Sequence, residues 1–558
     1  MKLAVFHYHL RPGGVTGVVT EACIALGRYG RLIEDVVLVC GSDENTDSVL
    51  ARIRAAAPAL PVSVRIHPEL RYASDQNGTS PAALEARIAG LLRAEYLSPD
   101  VVWWVHNYHL GKNPPFTAAL VSVLQTEPAQ RAVLHIHDFP ECGRLENLAE
   151  LRSHLQGTVY PTAPNIAYAT INYRDRSLLI EAGIPRDRVF ALPNPVEPPD
   201  TRSRGAAGAV RGCAPDGAPP RQEVLERLRD AFGDRFPFVD PDAPLVLYPV
   251  RAIRRKNVFE AGFLARLLGT DLGHTPNLIV TLPGTSPLEK PYSDMVEAAF
   301  EAGVLPGLAG VGADLDKAGL GFSDLMSAAD LVVSTSVQEG FGYAFFEAPG
   351  RGVPIAARYL DVLDGLGHLF TPYPHAFYRE LRVPFESPSI DSIRALLRIR
   401  YDEQLERSTA SMPAPVRKQL ESEVEDMLAA PTIDFSFLMP QIQYAYARDL
   451  ADEGFANEVR ALNFEVLGPM IRVLHGTRSL ARPADLIREE LGYERYAARV
   501  VELIESLSRR VPQGTTETVG NAAPRSSAED EQDPIQRRLI DAFAHKEYVR
   551  LLYGPVGE

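Results

Sequence analysis

The first 200 residues alternate between short runs rich in Val, Ile and aromatic residues and longer amphipathic segments. The short runs are LAVFHYH, DVVLVCG, VSVRIH, VVWWVH, AVLHIH and IAYATIN, and segments such as GVVTEACIALGRYG separate them. Strands that are each followed by a segment long enough to cross over the sheet are typical of a parallel sheet covered by helices. The alternation therefore predicts a doubly wound α/β domain over residues 1–200.

The same alternation starts again at APLVLYPV and continues through NLIVTLPG, ADLVVSTS and VPIAAR. It predicts a second doubly wound domain over residues 243–390. The intervening residues 201–242 are interpreted as a flexible linker or insertion, because their first half is rich in Gly, Ala, Pro and Arg. Two such domains are expected to face each other across a cleft at the carboxyl ends of their strands, where open α/β sheets bind ligands.

After residue 390 the strand pattern gives way to apolar residues at helical spacing, as in SIRALLRIRYDEQLE. We therefore predict a helical extension over residues 391–510. The polar, Pro- and Gly-punctuated residues 511–533 are predicted to be disordered. A Pro-capped amphipathic pattern then predicts a C-terminal helix over residues 534–558.

Composition narrows the class of protein. The chain has 558 residues with 57 Lys and Arg against 72 Asp and Glu, a net charge of −15, which disfavours a nucleic-acid-binding role. Its four cysteines lack CxxC spacing and so predict neither a disulfide framework nor a structural zinc site. No apolar stretch reaches the roughly 18 residues of a transmembrane helix, although peripheral membrane contact through an amphipathic helix stays open. These features predict a cytoplasmic protein, and they leave its oligomeric state undetermined.

The segment EGFGYAFFE follows the predicted strand LVVSTS and leads into a helix that is expected to begin near Tyr343. Gly340 and Gly342 let the backbone approach a ligand, and the first amides of the helix suit an anion. Glu339 and Glu347 are less suited to phosphate alone, but carboxylates accept strong hydrogen bonds from vicinal diols. A nucleotide sugar carries both kinds of group. A capping Glu and a solvated Glu are the alternative for isolated carboxylates.

Two further segments place polar groups after predicted strands. In LYPVRAIRRKN, Arg251 and Lys256 lie five residues apart across a basic turn, a spacing that suits one shared anion, with a solvated turn as the alternative. In HYHLRPGGVTGVV, Gly13 and Gly14 form a turn before a helix. That turn lacks GxGxxG spacing, which disfavours a dinucleotide-dependent hydride-transfer enzyme.

Two strand ends of the first domain, WVHNYHLGKN and HIHDFPECGR, are also rich in polar residues. A zinc site built from their histidines is disfavoured, because alternate strand residues point to opposite faces, and no metal is predicted. A packed, hydrogen-bonded histidine is the alternative for each of them. The acceptor-side candidates that these segments supply are His106, Asn107, His109, Lys112, Asp138 and Arg144.

EGFGYAFFE resembles the E-x7-E signature of the retaining glycosyltransferases of family 4, and the neighbouring AAD, STS and GVP elements match that family's context. The resemblance implies two facing Rossmann-like domains of the GT-B type. It implies that Glu339 contacts the hydroxyls of the transferred sugar, that Glu347 contacts the nucleotide ribose, and that His137 approaches the sugar. The amides around Phe341, Gly342 and Tyr343 would face the diphosphate and the sugar.

The other two segments resemble parts of the same family. Arg251 and Lys256 keep the spacing of its basic loop, but Pro249 and Val250 precede the Arg where Gly is usual, and Asn257 replaces the Gly after the Lys. Gly13 and Gly14 resemble its first glycine loop, whose amides reach the donor diphosphate or the acceptor.

The expected activity is transfer of a sugar, with retention of configuration, from a nucleotide diphospho-sugar to an acceptor hydroxyl. Arg251 and Lys256 would stabilise the leaving diphosphate, so that no metal or other cofactor is obligatory. The expected partners are therefore the nucleotide sugar and a hydroxyl acceptor, which the net charge suggests is small and soluble. A nucleotide-sugar epimerase or hydrolase, or a catalytically silent nucleotide-sugar-binding subunit, are the alternatives.

Overall fold

The structure is a computed structural model. It describes residues 1–76, 78–142, 145–155, 157–198, 219–236, 239–371, 373–390, 393–409, 412–476, 483–511 and 533–553. The chain forms two compact units. The first unit consists of Met1–Glu197 and Arg488–Ala544 with the short segment Ser411–Pro413, and the second consists of Pro198–Ala410, Ala414–Ile487 and His545–Glu558.

The first unit is built on a seven-stranded, entirely parallel sheet. Its strands are β1 (Lys2–Phe6), β2 (Asp35–Cys40), β3 (Val62–Ile66), β4 (Val101–His106), β5 (Arg131–Ile136), β6 (Ile166–Thr170) and β7 (Val189–Ala191). Helices between them are α1 (Gly14–Tyr29), α2 (Thr46–Ala56), α3 (Pro81–Leu91), α4 (Pro114–Thr126), α5 (Leu145–His154) and α6 (Tyr173–Glu181). The spatial order β3-β2-β1-β4-β5-β6-β7 is that of a Rossmann-like doubly wound sheet.

The second unit contains a six-stranded parallel sheet of the same order, β10-β9-β8-β11-β12-β13. The strands are β8 (Leu245–Arg251), β9 (Asn277–Leu282), β10 (Gly307–Ala309), β11 (Leu331–Ser334), β12 (Ile355–Arg358) and β13 (His375–Tyr378). The helices are α7 (Arg221–Phe232), α8 (Val258–Leu272), α9 (Lys290–Glu301), α10 (Phe322–Ala328) and α11 (Ala344–Gly350). The predicted pair of doubly wound α/β domains is therefore confirmed.

The helical C-terminal part is divided between the units. In the second unit, β14 (Arg382–Pro384) pairs with β15 (Thr432–Asp434), and the helices are α12 (Ile393–Thr409), α13 (Ala414–Ala429), α14 (Pro440–Asp449), α15 (Glu453–Leu462) and α16 (Phe464–His475). After α17 (Pro483–Leu491), the first unit receives α18 (Tyr493–Arg510) and α19 (Pro534–Ala542). The apolar face of α18 joins the core beneath α1, which explains why the chain returns there.

Several predicted boundaries differ from the structure. The predicted linker over 201–242 contains α7, and its residues 201–218 lie outside the described residues. The predicted helix over 534–558 ends at Ala542 and is followed by short 3-10 turns up to Tyr553. Of the segment predicted to be disordered, 512–532 lies outside the described residues. Within the described ranges, no helix combines the length and the apolar character needed to cross a bilayer.

Candidate functional site

In the second unit, a basic turn follows β8, the central strand of the sheet. A 3-10 turn, Arg254–Lys256, leads to Asn257 and then into α8. The Tyr248 hydroxyl donates to the carbonyl of Lys256 at 2.6 Å and lies 3.0 Å from the hydroxyl of Ser336, at the end of the neighbouring strand β11. The Thr335 hydroxyl also donates to the carbonyl of Lys256, at 3.1 Å. The turn after β8 is thus tied to the segment that leads to Glu339.

Lys256 and Glu339 form a partly buried ion pair in which the ammonium donates to a carboxylate oxygen. Their side chains are only 13% and 12% exposed. Burial lowers the pKa of Lys256, although Glu339 opposes this shift. Burial alone would raise the pKa of Glu339, but the charges of Lys256 and Arg255 outweigh it and hold that pKa below its usual value. Glu339 is therefore ionised at neutral pH, and its carboxylate favours the protonated form of Lys256.

The glycine turn after β11 adopts a conformation that only glycine tolerates. Gly342 has φ of +78°, and a Cβ built there would lie 2.6 Å from a ring carbon of Phe345. The first turn of α11 follows, with the amide of Glu347 donating to the carbonyl of Tyr343 at 2.9 Å. The predicted helix start near Tyr343 matches the observed start at Ala344. Gly340 and Tyr343 are half-buried on the same turn, and Phe341 is buried.

The structure does not bring all the predicted donor residues into one contact. Arg251 is 47% exposed, its guanidinium lies 3.5 Å from Glu289, and its charge is close enough to lower the pKa of Lys256. Glu347 is 37% exposed, and its carboxylate lies 3.9 Å from the guanidinium of Arg351. Each of these two side chains lies beside an opposite charge. Lys256 and Glu339 are in direct contact.

In the first unit, three histidines come together at the carboxyl ends of β4 and β5. His106 and His135 are register partners, and His137 lies two residues further on. The imidazoles of His106 and His137 share a hydrogen bond of 2.8 Å, and the amide of His137 donates to the side-chain oxygen of Asn107 at 2.8 Å. Asn107 holds this position with φ of +52°. Paired residues of neighbouring strands, and residues two apart on one strand, point to the same face of a sheet. The expectation that the strands would separate these rings was therefore wrong.

The ring nitrogens of His106, His135 and His137 lie within 4.8 Å of one another, which is a spacing compatible with metal ligation. The hydrogen bonds of these rings, however, disfavour a metal site. The Trp104 indole, which can only donate, bonds Nδ1 of His135 at 3.1 Å, so the proton of the neutral ring lies on Nε2. A metal requires an unprotonated ring nitrogen, whereas His106 and His137 already bond each other. The cluster therefore fits a set of neutral hydrogen-bonded imidazoles.

The remaining first-unit candidates differ in access. His109 is completely buried against the rings of Phe139 and Tyr160, which removes it from the surface where an acceptor would bind. Lys112 is half-buried, with its ammonium 5.6 Å from the centre of the Tyr72 ring. Asp138 is half-buried beside the histidines, Gly13 and Gly14 are exposed at the start of α1, and Arg144 lies outside the described residues.

The sequence interpretation missed the residues that hold the Lys256 turn. Tyr248 and Thr335 were assigned only to strands, although their hydroxyls fix the carbonyl of Lys256. A hydroxyl-bearing residue near a strand end was the available signal, but many core Tyr and Thr residues give the same signal. Gln443, which contacts Asn257, gave none, because the two are 186 residues apart.

We expect the histidine cluster to make stability depend on pH. Burial lowers the pKa of His137 to about 4, and burial with the neighbouring His9 and His137 lowers the pKa of His7 to about 3. Unfolded histidines protonate near pH 6.5, so the neutral folded cluster is fully favoured above that pH and loses stability as the pH falls towards the folded values. For His137 alone, the loss between pH 7 and pH 5 is about 2 kcal/mol.

Thermal unfolding followed from pH 8 to pH 5 measures this dependence. His137→Gln is expected to unfold with a shallower pH dependence than the wild type. His368→Gln, at an exposed side chain, should keep the wild-type dependence. Equal dependences in wild type and His137→Gln would contradict the assignment of buried neutral imidazoles.

No family model matches the chain. It is 28% identical over 570 aligned residues to a mannosylglucosyl-3-phosphoglycerate synthase of Petrotoga mobilis, and the alignment covers 99% of both proteins. That relative is a glycosyltransferase. Similarity along nearly the whole of both chains supports sugar transfer as the class of activity.

Solved structures resemble the chain more distantly. A sucrose-phosphate synthase from Thermosynechococcus elongatus is 13% identical with a TM-score of 0.44, covering 91% of this chain and 98% of its own. A trehalose-6-phosphate protein from E. coli bound to UDP-2-fluoro glucose is 13% identical with a TM-score of 0.43, covering 90% and 99%. The strand orders of the two parallel sheets define the fold.

Proposed function

We propose that this protein is a retaining glycosyltransferase that moves a hexosyl unit from a nucleotide diphospho-sugar to the hydroxyl of a small, soluble acceptor. The second unit would hold the donor, with Glu339 on the transferred sugar, Glu347 on the ribose, and the turn from Gly340 to Tyr343 against the diphosphate and sugar. The partly buried ion pair of Lys256 and Glu339 is the observation that carries this proposal.

The chemistry of that pair suits an activated sugar. The bond between the sugar and the diphosphate breaks with growing negative charge on the phosphate, which a preorganised cation stabilises most strongly where water is excluded. An ammonium has three donors, so Lys256 can bond Glu339 and still serve phosphate oxygens. Glu339, kept ionised by Lys256, can accept from sugar hydroxyls through charge-assisted bonds. No metal is needed in this scheme.

Retention of configuration could also arise from a carboxylate nucleophile. We favour a same-face reaction in which a donor phosphate oxygen takes the proton of the acceptor hydroxyl. The engagement of Glu339 with Lys256 supports this preference, because a carboxylate bonded to an ammonium is a weaker nucleophile. His137, neutral at physiological pH, would then contact a sugar hydroxyl as a hydrogen-bonding group rather than as a cation.

The relative's name suggests a more specific acceptor. Its product contains mannose, glucose and 3-phosphoglycerate. We propose by analogy that the acceptor of this protein is a glucosylated 3-phosphoglycerate and that the transferred unit is mannosyl. Such an acceptor carries a carboxylate and a phosphate, for which Lys112 and the amides at the start of α1, next to Gly13 and Gly14, offer complementary charge in the first unit.

A donor panel tests the function. The purified protein is incubated with GDP-mannose, UDP-glucose, UDP-galactose or ADP-glucose, with and without glucosyl-3-phosphoglycerate. Products are followed by nucleotide release and by NMR of the anomeric proton. We expect GDP-mannose to give a new glycoside with retained configuration only when the acceptor is present, and to raise the unfolding midpoint by itself.

Other outcomes of the panel would replace the proposal. Rapid loss of donor without acceptor would identify a hydrolase, and conversion to an isomeric donor would identify an epimerase. Donor binding without turnover on any acceptor would identify a binding subunit. A product of inverted configuration would contradict the retaining mechanism.

Replacing Arg251 is expected to change the kinetics without changing the stability of the fold. Arg251→Ala is expected to lower kcat/KM for the donor at least tenfold, because a guanidinium near the diphosphate stabilises its charge. Its side chain is 47% exposed, and its contact with Glu289 is long at 3.5 Å, so the unfolding midpoint should stay within about 1 °C of the wild type. Arg227→Ala, on the exposed face of α7, is the matched control and should leave both quantities unchanged. Wild-type kinetics in Arg251→Ala would remove this residue from the donor site.

A further inference from the structure

Asn257 stands directly after Lys256 and takes a backbone conformation that asparagine adopts at some cost. Its φ is +50° and its ψ is +49°, the left-handed region that glycine enters freely. The residue is completely buried. A buried, left-handed Asn at this point implies that its side chain contributes something that glycine would not.

The side chain of Asn257 is hydrogen-bonded at both ends. Its amide nitrogen donates to Glu260 at 2.7 Å, one turn further along α8. Its amide oxygen accepts from the side-chain nitrogen of Gln443 at 2.9 Å. Gln443 lies on α14, in the helical C-terminal part, and is completely buried; its nitrogen also donates to the carbonyl of Phe435 at 3.0 Å. Gln443 therefore links a helix of the C-terminal part to the turn.

The backbone of the same turn is fixed from the sheet. The Thr335 hydroxyl lies 2.9 Å from the carbonyl of Asn257 and 3.1 Å from that of Lys256, which share its one proton. Tyr248 also donates to the carbonyl of Lys256. Hydrogen bonds from Tyr248 and Thr335 thus hold the backbone of Lys256 and Asn257. Gln443 on α14 holds the side chain of Asn257. Lys256 places its ammonium on Glu339.

We propose that Gln443, acting through Asn257, is a positioning residue that holds Lys256 against Glu339. The inference rests on the proposed function for its catalytic consequence. In this proposal, the C-terminal helices hold the donor-binding turn of the second unit in place. Gln443 itself does not contact the reacting groups. Loss of its hydrogen bond to Asn257 lets the Lys256 turn move, while the charges of Lys256 and Glu339 stay in the site.

Four variants test the link. Gln443→Leu removes the donor at nearly constant volume, and Asn257→Gly keeps the left-handed backbone but removes the side chain. If the link positions Lys256, each is expected to lower kcat about tenfold with the donor KM changed less than twofold. The double variant should be no slower than either single variant, because both break the same connection. Gln441→Leu, the same change two residues earlier on α14, is the control and should retain wild-type kcat.

A double variant that includes Lys256→Met distinguishes a positioning role of Gln443 from a general loss of packing. Adding Gln443→Leu to Lys256→Met should cause no further fall in kcat, whereas a general structural defect would slow both backgrounds equally. Gln443→Asn, which retains an amide, should recover part of the activity if a hydrogen bond is the essential feature. Wild-type kcat in Asn257→Gly, or additive losses in the double variant, would overturn the inference.

Hydrogen exchange provides a result that does not depend on the activity. The amides of residues 253–259 are expected to exchange at least tenfold faster in Gln443→Leu than in Gln441→Leu, because the turn loses one of its clamps. Unchanged exchange would overturn the positioning role whatever the enzyme does. Faster exchange in a protein that transfers no sugar would retain the link and reject the proposed function.

Discussion

Replacing Lys256 by Met is expected to lower kcat at least 100-fold and to destabilise the second unit by about 3 kcal/mol. The loss of turnover follows from removing a cation from a site where charge develops in the transition state. The loss of stability follows from leaving Glu339, which is only 12% exposed, without its partner. Sequence reasoning anticipated only the first effect, since it gave no indication that the pair is largely shielded from water. Steady-state kinetics with the donor and thermal unfolding measure the two effects.

A second substitution distinguishes the two effects. Adding Glu339→Gln to Lys256→Met removes the unpaired charge, so the double variant should recover most of the lost stability while its kcat stays low. Recovery of kcat together with stability would show that Lys256 serves folding alone. Lys290→Met, at a 65% exposed lysine of the same unit, is the control and should leave both quantities unchanged.

Replacing Arg358 by Met is expected to be the most destabilising single change in the second unit. The guanidinium lies between two carboxylates, with bonds of 2.6 and 2.7 Å to Glu260 and of 2.5 and 3.0 Å to Asp434. The three side chains are 3%, 0% and 6% exposed. Burial raises the pKa of Glu260 despite Arg358, and Arg358 overcomes burial to lower the pKa of Asp434.

Without Arg358, two buried carboxylates would face each other, and the expected loss is about 4 kcal/mol at pH 7. The loss should shrink as the pH falls towards 5, because an unpaired buried carboxyl binds a proton more readily than it does in the unfolded chain. Urea unfolding at both pH values measures it. Arg382→Met, whose side chain is 59% exposed beside Glu380, should change stability by less than 1 kcal/mol. Equal stability of Arg358→Met and wild type would contradict the role of this network.

The network also explains how the C-terminal helices are attached. Asp434 and Gln443 both come from the segment after residue 390, and Asp434 bonds Arg358 at the end of β12, whereas Gln443 bonds Asn257 before α8. Both partners contact Glu260 as well. The residue that looked like a departure from the glycosyltransferase pattern, Asn257, is therefore part of the polar attachment of these helices to the sheet.

The sequence by itself determined the two parallel sheets, because buried parallel strands require continuous apolar runs separated by crossover segments, and this pattern is local. It also indicated the glycine turn at Gly342, where a left-handed backbone excludes other residues. Only the tertiary structure decided which charges meet. Lys256 contacts Glu339 while Arg251 contacts Glu289, and Gln443 reaches Asn257 across 186 residues. Contacts of this kind depend on how separate helices and strands pack, and spacing along the chain carries no record of that.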